Sequence, residues 1–269
     1  MSDLSVDLKL DQAHTARMYD YYLGGRTNFL ADREAVGRIM AVFPHALAAA
    51  RANRAFMHRS TRFLAELGIR QFLDIGTGIP TQPNLHEIAQ GVAPEARIVY
   101  VDNDPIVLAH AQALLQSSPQ GRTAYLQADL TEPDAILAAP TLHETLDLSR
   151  PVALSMNAVL HFVPDSAGAY EIVETLKAAL APGSALVISH GTGDFAPAMA
   201  VGTAAVYKST GTSAQSRTHA QVARFFDGWD LADPGLAVSF RWRPDDPDDL
   251  LSLTDFEASF YSGVALRAG

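Results

Sequence analysis

Between residues 71 and 189 the sequence alternates short apolar runs with turns and then with segments of helical periodicity. The apolar runs are residues 71–75, 97–102, 123–127, 152–156 and 184–189. Several of them are apolar almost throughout, which is typical of strands covered by helices on both faces of a parallel sheet. This alternation predicts an open, doubly wound, Rossmann-like α/β sheet.

The sequence before the first strand has a helical pattern, and residues 1–68 are expected to form a helical extension. Its longest predicted helix covers residues 46–67 and ends at Gly68. Four arginines of this helix fall within twelve residues and are interpreted as a solvated face: Arg51, Arg54, Arg59 and Arg62.

The sequence after the fifth strand is less regular. A helix near residues 219–227 precedes two predicted strands, 236–242 and 258–266, which we expect to form an antiparallel hairpin at one edge of the sheet. There is no internal repeat and no low-complexity linker. Residues 1–269 are therefore predicted to form one domain, with residues 69–269 as its core.

The composition argues against several classes of protein. A net charge of −10 disfavours nucleic-acid binding, because contacts to phosphates need a basic surface. The apolar runs are strand-length, whereas a membrane span needs about 20 apolar residues. Without cysteine there are no disulfides or thiolate nucleophiles, and the acidic N-terminus is unlike a secretory signal. We therefore expect a cytoplasmic protein that binds neither nucleic acid nor membranes.

Ligands of an open parallel sheet bind at the carboxyl ends of its strands. The first strand ends in 74-DIGTGIPT-81, where Gly76 and Gly78 let the backbone turn tightly and approach a ligand. A tight turn between strand and helix explains these glycines equally well. Asp102 ends the second strand, where a carboxylate can accept both hydroxyls of a ribose. The alternative role, a helix cap, suits Asp104 better.

The third strand ends at Asp129 and Leu130, which offer an acceptor and a backbone donor to the edge of an adenine. Three such strand ends predict a site for an adenosine-containing ligand. A dinucleotide is disfavoured because Thr81 occupies the third small position of the G-x-G-x-x-G/A motif, and the chain has no P-loop G-K-[ST]. Asp74 would repel a pyrophosphate but suits the ammonium and sulfonium groups of S-adenosylmethionine. The charge of Asp74 therefore favours S-adenosylmethionine as the cofactor.

Several segments resemble the class I S-adenosylmethionine-dependent methyltransferases: FLDIGTGIPT, VYVDNDP, ADL, PVALSMNAVLHFVPD and LAPGSALVISH. More specifically, residues 16–33, ARMYDYYLGGRTNFLADR, are similar to the N-terminal hallmark of an actinobacterial methyltransferase family long classed as a domain of unknown function. The resemblance runs from about residue 15 to residue 269 and includes the closing RWRP and YSGVALR stretches.

The resemblance implies a seven-stranded, mostly parallel sheet whose last strand is antiparallel. It also implies a set of residues that hold the cofactor: Asp74, Gly76, Thr77 and Gly78, with Asp102 on the ribose, Asn103 on the adenine, Asp129 and Leu130 on the adenine edge, and the backbone near Asn157 on the methionine moiety. Pro80 departs from the family pattern, because many class I enzymes have a third glycine there. The resemblance implies no particular methyl acceptor.

Methyl transfer from a sulfonium is an in-line displacement, so the protein mainly has to hold the acceptor about 3–3.5 Å from the methyl carbon. A general base is needed only if the acceptor loses a proton. His161 and His190 are the main candidates for a base, followed by Asp165 and Asp194. The preferred interpretation of both histidines is a hydrogen-bonded residue at a strand end, and that of Asp165 is a helix cap. The pair His86–Glu87 lacks the second histidine of H-E-x-x-H, so no metal is predicted.

Residues 16–33 are the predicted lid of the site, because they combine aromatic residues with a Gly-Gly hinge. Tyr22, Arg26 and Asn28 are expected to border the site. The alternative is a helical hairpin that packs on the sheet. We expect an enzyme that transfers a methyl group to a small-molecule acceptor. The alternative functions are cofactor binding without catalysis and a dinucleotide-dependent reaction.

Overall fold

The computed structural model describes residues 9–114, 117–251 and 253–269. Residues 1–8 lie outside the described residues. They include part of the acidic N-terminus that was compared with a secretory signal. Residues 115–116 and residue 252 also lie outside the described residues.

The described strands form one eight-stranded sheet. They are β1 (Gln71–Ile75), β2 (Arg97–Asp102), β3 (Arg122–Gln127), β4 (Ala153–Asn157), β5 (Ala185–Gly191), β6 (Asp230–Leu231), β7 (Ala237–Val238) and β8 (Phe260–Leu266). The order is β3-β2-β1-β4-β5-β8-β6, and β7 also pairs with β8. Strands β1 to β5 are parallel and β8 runs antiparallel to β5. The predicted fold class is confirmed, and the strand count exceeds seven because β6 and β7 are two-residue strands.

Eleven α-helices surround the sheet in the described part of the chain: α1 (Thr15–Tyr22), α2 (Leu30–Val42), α3 (Ala46–Glu66), α4 (Leu85–Val92), α5 (Pro105–Leu114), α6 (Pro133–Ala138), α7 (Pro140–Thr145), α8 (Ala169–Ala178), α9 (Pro197–Ser209), α10 (His219–Ala223) and α11 (Asp255–Ala258). None of these described helices has both the length and the apolar character needed to cross a membrane.

The parallel strands are apolar because both of their faces are buried. Leu73 and Val99 belong to a cluster that includes side chains of α6, α7 and α8. Phe72 and Ile98 point to the other face, where the cluster includes residues of α3 and α4. Helices on both faces leave no solvent-facing side for polar alternation, which accounts for the continuous apolar runs of the sequence.

The expected edge hairpin at residues 236–242 and 258–266 is wrong in two respects. Only β7 is extended in the first segment, because residues 239–241 form a short 3₁₀ helix. The second segment, β8, lies inside the sheet and pairs along its whole length with β5. The guanidinium of Arg59 on α3 donates to the carbonyls of Ser239 (2.6 Å) and Trp242 (2.9 Å), and these bonds attach the 3₁₀ segment to the helix.

Candidate functional site

A cavity of about 590 Å³ lies at the carboxyl ends of β1 to β4, where the strand order reverses between β1 and β4. Helices α1, α2, α3 and α9 complete its wall. Most of the residues predicted for the site line it: Tyr22, Asp74, Gly76, Thr77, Gly78, Asp102, Asn103, Asp129, Leu130, Asn157 and His161. Arg26, Asn28 and His190 are not among its lining residues.

The two glycines after β1 have different structural reasons. Gly76 has φ +75° and Gly78 has φ +69°, a region that side chains other than glycine rarely adopt. A Cβ on Gly76 would also lie 2.5 Å from a methyl group of Val159, in the loop after β4. Gly78 has open space around it, but its N–H donates to Asp102 Oδ2 at 2.7 Å. The glycine loop is therefore fixed both to the loop after β4 and to the acid at the end of β2.

Asp102 also accepts a hydrogen bond on its second oxygen, from the N–H of Asp104 at 3.0 Å. Burial raises the pKa of Asp102 above its usual value. The helix-capping contact is made by Asp104, whose Oδ1 accepts from the N–H of Ile106 at 2.9 Å at the start of α5. Asp102 is thus left at the cavity wall with its remaining lone pairs available to a ligand.

Asp74 is 8% exposed, and its Oδ2 accepts a hydrogen bond from the Thr77 hydroxyl at 3.1 Å. Burial raises the pKa of Asp74 to about 6, although hydrogen bonds from Ser155 and Thr77 act to lower it. A cation placed beside Asp74 would favour its ionised form. The site is therefore built to gain electrostatic energy from a positively charged ligand.

At the end of β3 the side chains form a small hydrogen-bonded group. Asn103 donates to Asp129 Oδ2 at 3.1 Å, and the Thr131 N–H donates to Asp129 Oδ1 at 2.8 Å. Burial acts to raise the pKa of Asp129, but the hydrogen bonds from Thr131 and Asn103 prevail and lower it. Asp129 is held as an ionised acceptor at the rim of the cavity.

Two residues of α3 that line the cavity were missed by the sequence analysis, Asn53 and Arg54. Arg54 donates through Nη2 to the carbonyls of Thr81 and of Pro83 (2.9 Å), and burial lowers its pKa. The interpretation of this arginine cluster as a solvated face is therefore wrong for Arg54, and also for Arg59, which is buried. The only signal in the sequence is the change from the alanine-rich start of the helix to polar residues.

Several buried polar atoms of the described cavity wall have no hydrogen-bond partner, including Asn53 Oδ1, Arg54 Nε and Asn157 Oδ1. An unpaired buried polar group costs about 1–3 kcal/mol. These atoms belong to α3 and to the end of β4, which are distant in the sequence from Asp74, Asp102 and Asp129. Polar atoms without partners on a cavity wall indicate where a polar ligand makes its contacts.

The two candidate histidines lie in different surroundings. His161 lines the cavity, and burial together with the charge of Arg217 lowers its pKa to about 3, so that it is neutral at physiological pH. His190 is buried outside the cavity lining, and burial lowers its pKa well below the usual value. Its Nε2 accepts from Arg217 Nη1 at 2.7 Å and its Nδ1 lies 2.8 Å from the Gly191 carbonyl. Because arginine can only donate, His190 carries its proton on Nδ1 and has both ring nitrogens satisfied.

Arg217 is a third residue that the sequence analysis missed. Its side chain is fully buried, forms an ion pair with Asp165 at 2.6 Å, and donates to the carbonyls of Leu160 and Val163. The expected role of Asp165 as the cap of the next helix is wrong, because Gly168 occupies the N-cap of α8 and Asp165 is drawn to Arg217. Arg217 thereby fixes the loop after β4 that carries His161.

The predicted lid segment is held by buried charges. Arg17 Nε lies 3.7 Å from Asp32 Oδ1 and 3.5 Å from Asp104 Oδ2, and His14 Nδ1 lies 3.1 Å from the same Asp104 oxygen. These contacts attach α1 to the turn that carries Asp102. Tyr22 reaches the cavity from the end of α1.

The other two residues predicted for the lid do not reach the cavity. Asn28 is buried and donates to Asp20 Oδ2 at 2.7 Å and to the Gly25 carbonyl at 3.0 Å, so that it organises the turn between α1 and α2. Arg26 is exposed. Elsewhere, within residues 9–114, 117–251 and 253–269, no group of three or more histidine, aspartate or glutamate side chains could hold a metal ion.

The chain is similar to several known proteins. A family model described as S-adenosyl methyltransferase matches residues 2–268. A DUF574 family protein from Streptomyces avermitilis is 48% identical, with a TM-score of 0.94 over 97% of this chain and 100% of that one. A proposed methyltransferase from Thermobifida fusca is 35% identical, with a TM-score of 0.90 and 100% of each chain covered.

More distant structures share the fold. Human N-acetylserotonin methyltransferase, solved in complex with S-adenosylmethionine, is 14% identical, with a TM-score of 0.51 over 93% of this chain and 62% of that one. At this identity the likeness concerns the fold alone. No curated protein matches the chain.

Proposed function

Because the chain belongs to the S-adenosyl methyltransferase family, we propose that it transfers the methyl group of S-adenosylmethionine to a small-molecule acceptor. The cofactor of the family is S-adenosylmethionine. The observation that carries the proposal is that a buried carboxylate, Asp74, and a guanidinium, Arg54, line the same cavity.

These two charges fit the amino-acid part of the cofactor, which carries one ammonium and one carboxylate group. Asp74 would take the ammonium, with the free Oδ1 atoms of Asn53 and Asn157 as further acceptors. Arg54 would take the carboxylate through its free Nε–H. Hydrogen bonds between charged partners are about twice as strong as neutral ones, so this arrangement selects a zwitterion.

The adenosine part fits the acids of the next two strands. Asp102 would accept the ribose hydroxyls while it keeps its bonds from Gly78 and Asp104. Asn103 and Asp129, joined at 3.1 Å, would meet the adenine together with Leu130. A single ligand with a nucleoside at one end and an amino acid at the other accounts for both sets of polar residues.

Positioning is the main contribution of this chain to the transfer. The bound cofactor supplies an electrophilic methyl group whose leaving thioether is neutral. The cavity walls hold the acceptor in line and exclude water, which can contribute about 7–11 kcal/mol to such a reaction. His161 has a pKa of about 3 and is a poor proton acceptor at neutral pH, so we assign it a positioning role in the wall.

Ligand-induced thermal stabilisation tests the cofactor assignment. S-Adenosylhomocysteine at about 100 times its dissociation constant should stabilise the fold by roughly 2.7 kcal/mol, and NAD should not. Asp102→Ala should abolish this stabilisation, whereas Asp134→Ala, an exposed acid outside the cavity lining, should retain it. Stabilisation by NAD alone would contradict the proposal.

A second measurement separates an enzyme from a protein that only binds the cofactor. The protein is incubated with methyl-labelled cofactor and a metabolite extract, and the products are separated by mass. A labelled small molecule, formed by wild type and absent with Asp102→Ala, is the expected result. Strong cofactor binding without a labelled product would refute the catalytic part of the proposal.

A further inference from the structure

The cavity continues beyond the residues assigned to the cofactor. We call this part the acceptor half, and it is formed by α2, α9, the loop after β4 and the start of β8. Representative lining residues are Ile39, Phe43, Phe162, Ala204, Tyr207 and Phe260. They come from segments far apart in the chain, so the space is a product of the tertiary fold.

The charged side chains of the cavity wall belong to other segments of the chain than those that form the acceptor half. The carboxylates on the wall are Asp74, Asp102 and Asp129, all at the carboxyl ends of β1 to β3, and the guanidinium is Arg54 of α3. Among the described residues that line the acceptor half there is no aspartate, glutamate, lysine or arginine. A charged acceptor placed there would lose its hydration without gaining a partner, which is unfavourable.

Aromatic rings line the acceptor half on several sides. The rings of Phe162 and Tyr207 lie 5.1 Å apart and nearly perpendicular, at 70°. His161 and Phe260 are 5.7 Å apart at 79°. Tyr22 adds a further ring from α1. Aromatic rings on a cavity wall can make offset-stacked or edge-to-face contacts with an aromatic guest.

Uncharged polar groups line the same space, and the loop after α9 adds Thr212, Ser213, Gln215 and Ser216 to the wall. The hydroxyls of Thr203 and Tyr207 lie on the wall, and burial raises the pKa of Tyr207, which keeps it protonated. A site of mainly apolar walls with a small number of hydroxyls orients a ligand by its neutral polar groups.

We propose that the methyl acceptor is an uncharged aromatic molecule that carries a neutral hydroxyl or amino group. This inference rests on the proposed function and names the substrate class of that site. In the transfer, the acceptor heteroatom forms a bond to the methyl carbon while the carbon–sulfur bond breaks. The electron pair of the carbon–sulfur bond stays on sulfur, and the proton of the acceptor is released to solvent.

Helix α9 offers a matched pair of positions for the test. Ala204 lines the acceptor half, whereas its neighbour Ala205 is exposed. No residue of α9 is fully buried, so a polar substitution on either side of the helix can be accommodated. Ala204→Asp introduces a carboxylate into the acceptor half, and Ala205→Asp introduces the same charge on the same helix outside it.

The first experiment measures binding of three naphthalene probes to the wild-type protein saturated with S-adenosylhomocysteine. The probes are 2-naphthol, 2-naphthoate and 2-naphthylmethylamine, which are neutral, anionic and cationic at neutral pH. We expect 2-naphthol to bind about tenfold or more tightly than either charged probe. Equal or tighter binding of a charged probe, or no binding of any probe, would overturn the inference.

The second experiment repeats the measurement with the two variants. Ala204→Asp should reverse the preference in favour of 2-naphthylmethylamine, and Ala205→Asp should behave as wild type. An unchanged preference in Ala204→Asp with retained S-adenosylhomocysteine binding would overturn the inference alone. Absence of S-adenosylhomocysteine binding in wild type would overturn the proposed function and this inference together. The wild-type probe series does not depend on the folding of either variant.

Discussion

Replacing Arg54 with methionine should weaken binding of the amino-acid end of the cofactor without weakening binding of its adenosine end. Arg54 is the guanidinium that lines the cavity near Asp74, and its Nε–H has no partner. A hydrogen bond to a charged group contributes about 1.5–3 kcal/mol, and each 1.4 kcal/mol is a factor of ten in affinity. Arg54→Met should therefore weaken the affinity for S-adenosylhomocysteine about 10- to 100-fold. The affinity for 5′-methylthioadenosine, which lacks the amino-acid part, should be unchanged.

Isothermal titration of both ligands measures this selectivity directly. The matched control is Arg51→Met, an exposed arginine three residues earlier on the same helix. Arg54 also donates to the carbonyls of Thr81 and Pro83 after the glycine loop. If the substitution weakened both ligands by the same factor, Arg54 would act through this loop and the carboxylate assignment would be refuted. An unchanged affinity for both ligands would refute it as well.

Three further predictions follow from single contacts. Because burial raises the pKa of Asp74 to about 6, the unfolding free energy should fall by up to about 3 kcal/mol as the pH rises from about 4 to about 6. Over the same rise in pH the affinity for S-adenosylhomocysteine should increase. Urea denaturation measures the first effect and isothermal titration the second, and both pH dependences should be absent from Asp74→Asn. Arg217→Met should lower the unfolding free energy measured by urea denaturation by about 3 kcal/mol, because the substitution leaves buried carbonyls unpaired. Asp165→Asn changes a side chain that is 42% exposed, and it should lower the unfolding free energy by less than about 1 kcal/mol. A smaller loss in Arg217→Met than in Asp165→Asn would contradict this account. Gly76→Ala should reduce thermal stability more than Gly78→Ala, since both glycines have positive φ but only Gly76 faces Val159. Equal decreases of the melting temperature in the two variants would contradict this prediction.

The strand ends of the site could be predicted because their signal is local. Asp74, Gly76 and Gly78 lie within five residues, in one turn between a strand and a helix. Asp102 and Asp129 each end an apolar run. The parallel sheet then brings these ends together by its topology, so that short segments of sequence are enough to place this wall of the cavity.

Other parts of the site depend on contacts between distant segments. Arg217 is 52 residues from its partner Asp165, and Arg59 is 183 residues from the Trp242 carbonyl that it holds. Arg54 is 27 residues from the Thr81 carbonyl. In sequence these arginines look like ordinary polar residues of a helix or a loop. Their burial is decided only when the other segment packs against them, so no local pattern reveals it.

The position of β8 has a consequence for synthesis on the ribosome. β5 is complete at Gly191, but its partner in the sheet begins at Phe260. At about 5–20 residues per second, the intervening 68 residues take roughly 3–14 s to translate. During that interval β5 is an apolar edge with unpaired backbone groups, the kind of surface that promotes aggregation. Nascent chains halted before residue 260 should therefore be the species that most needs a chaperone.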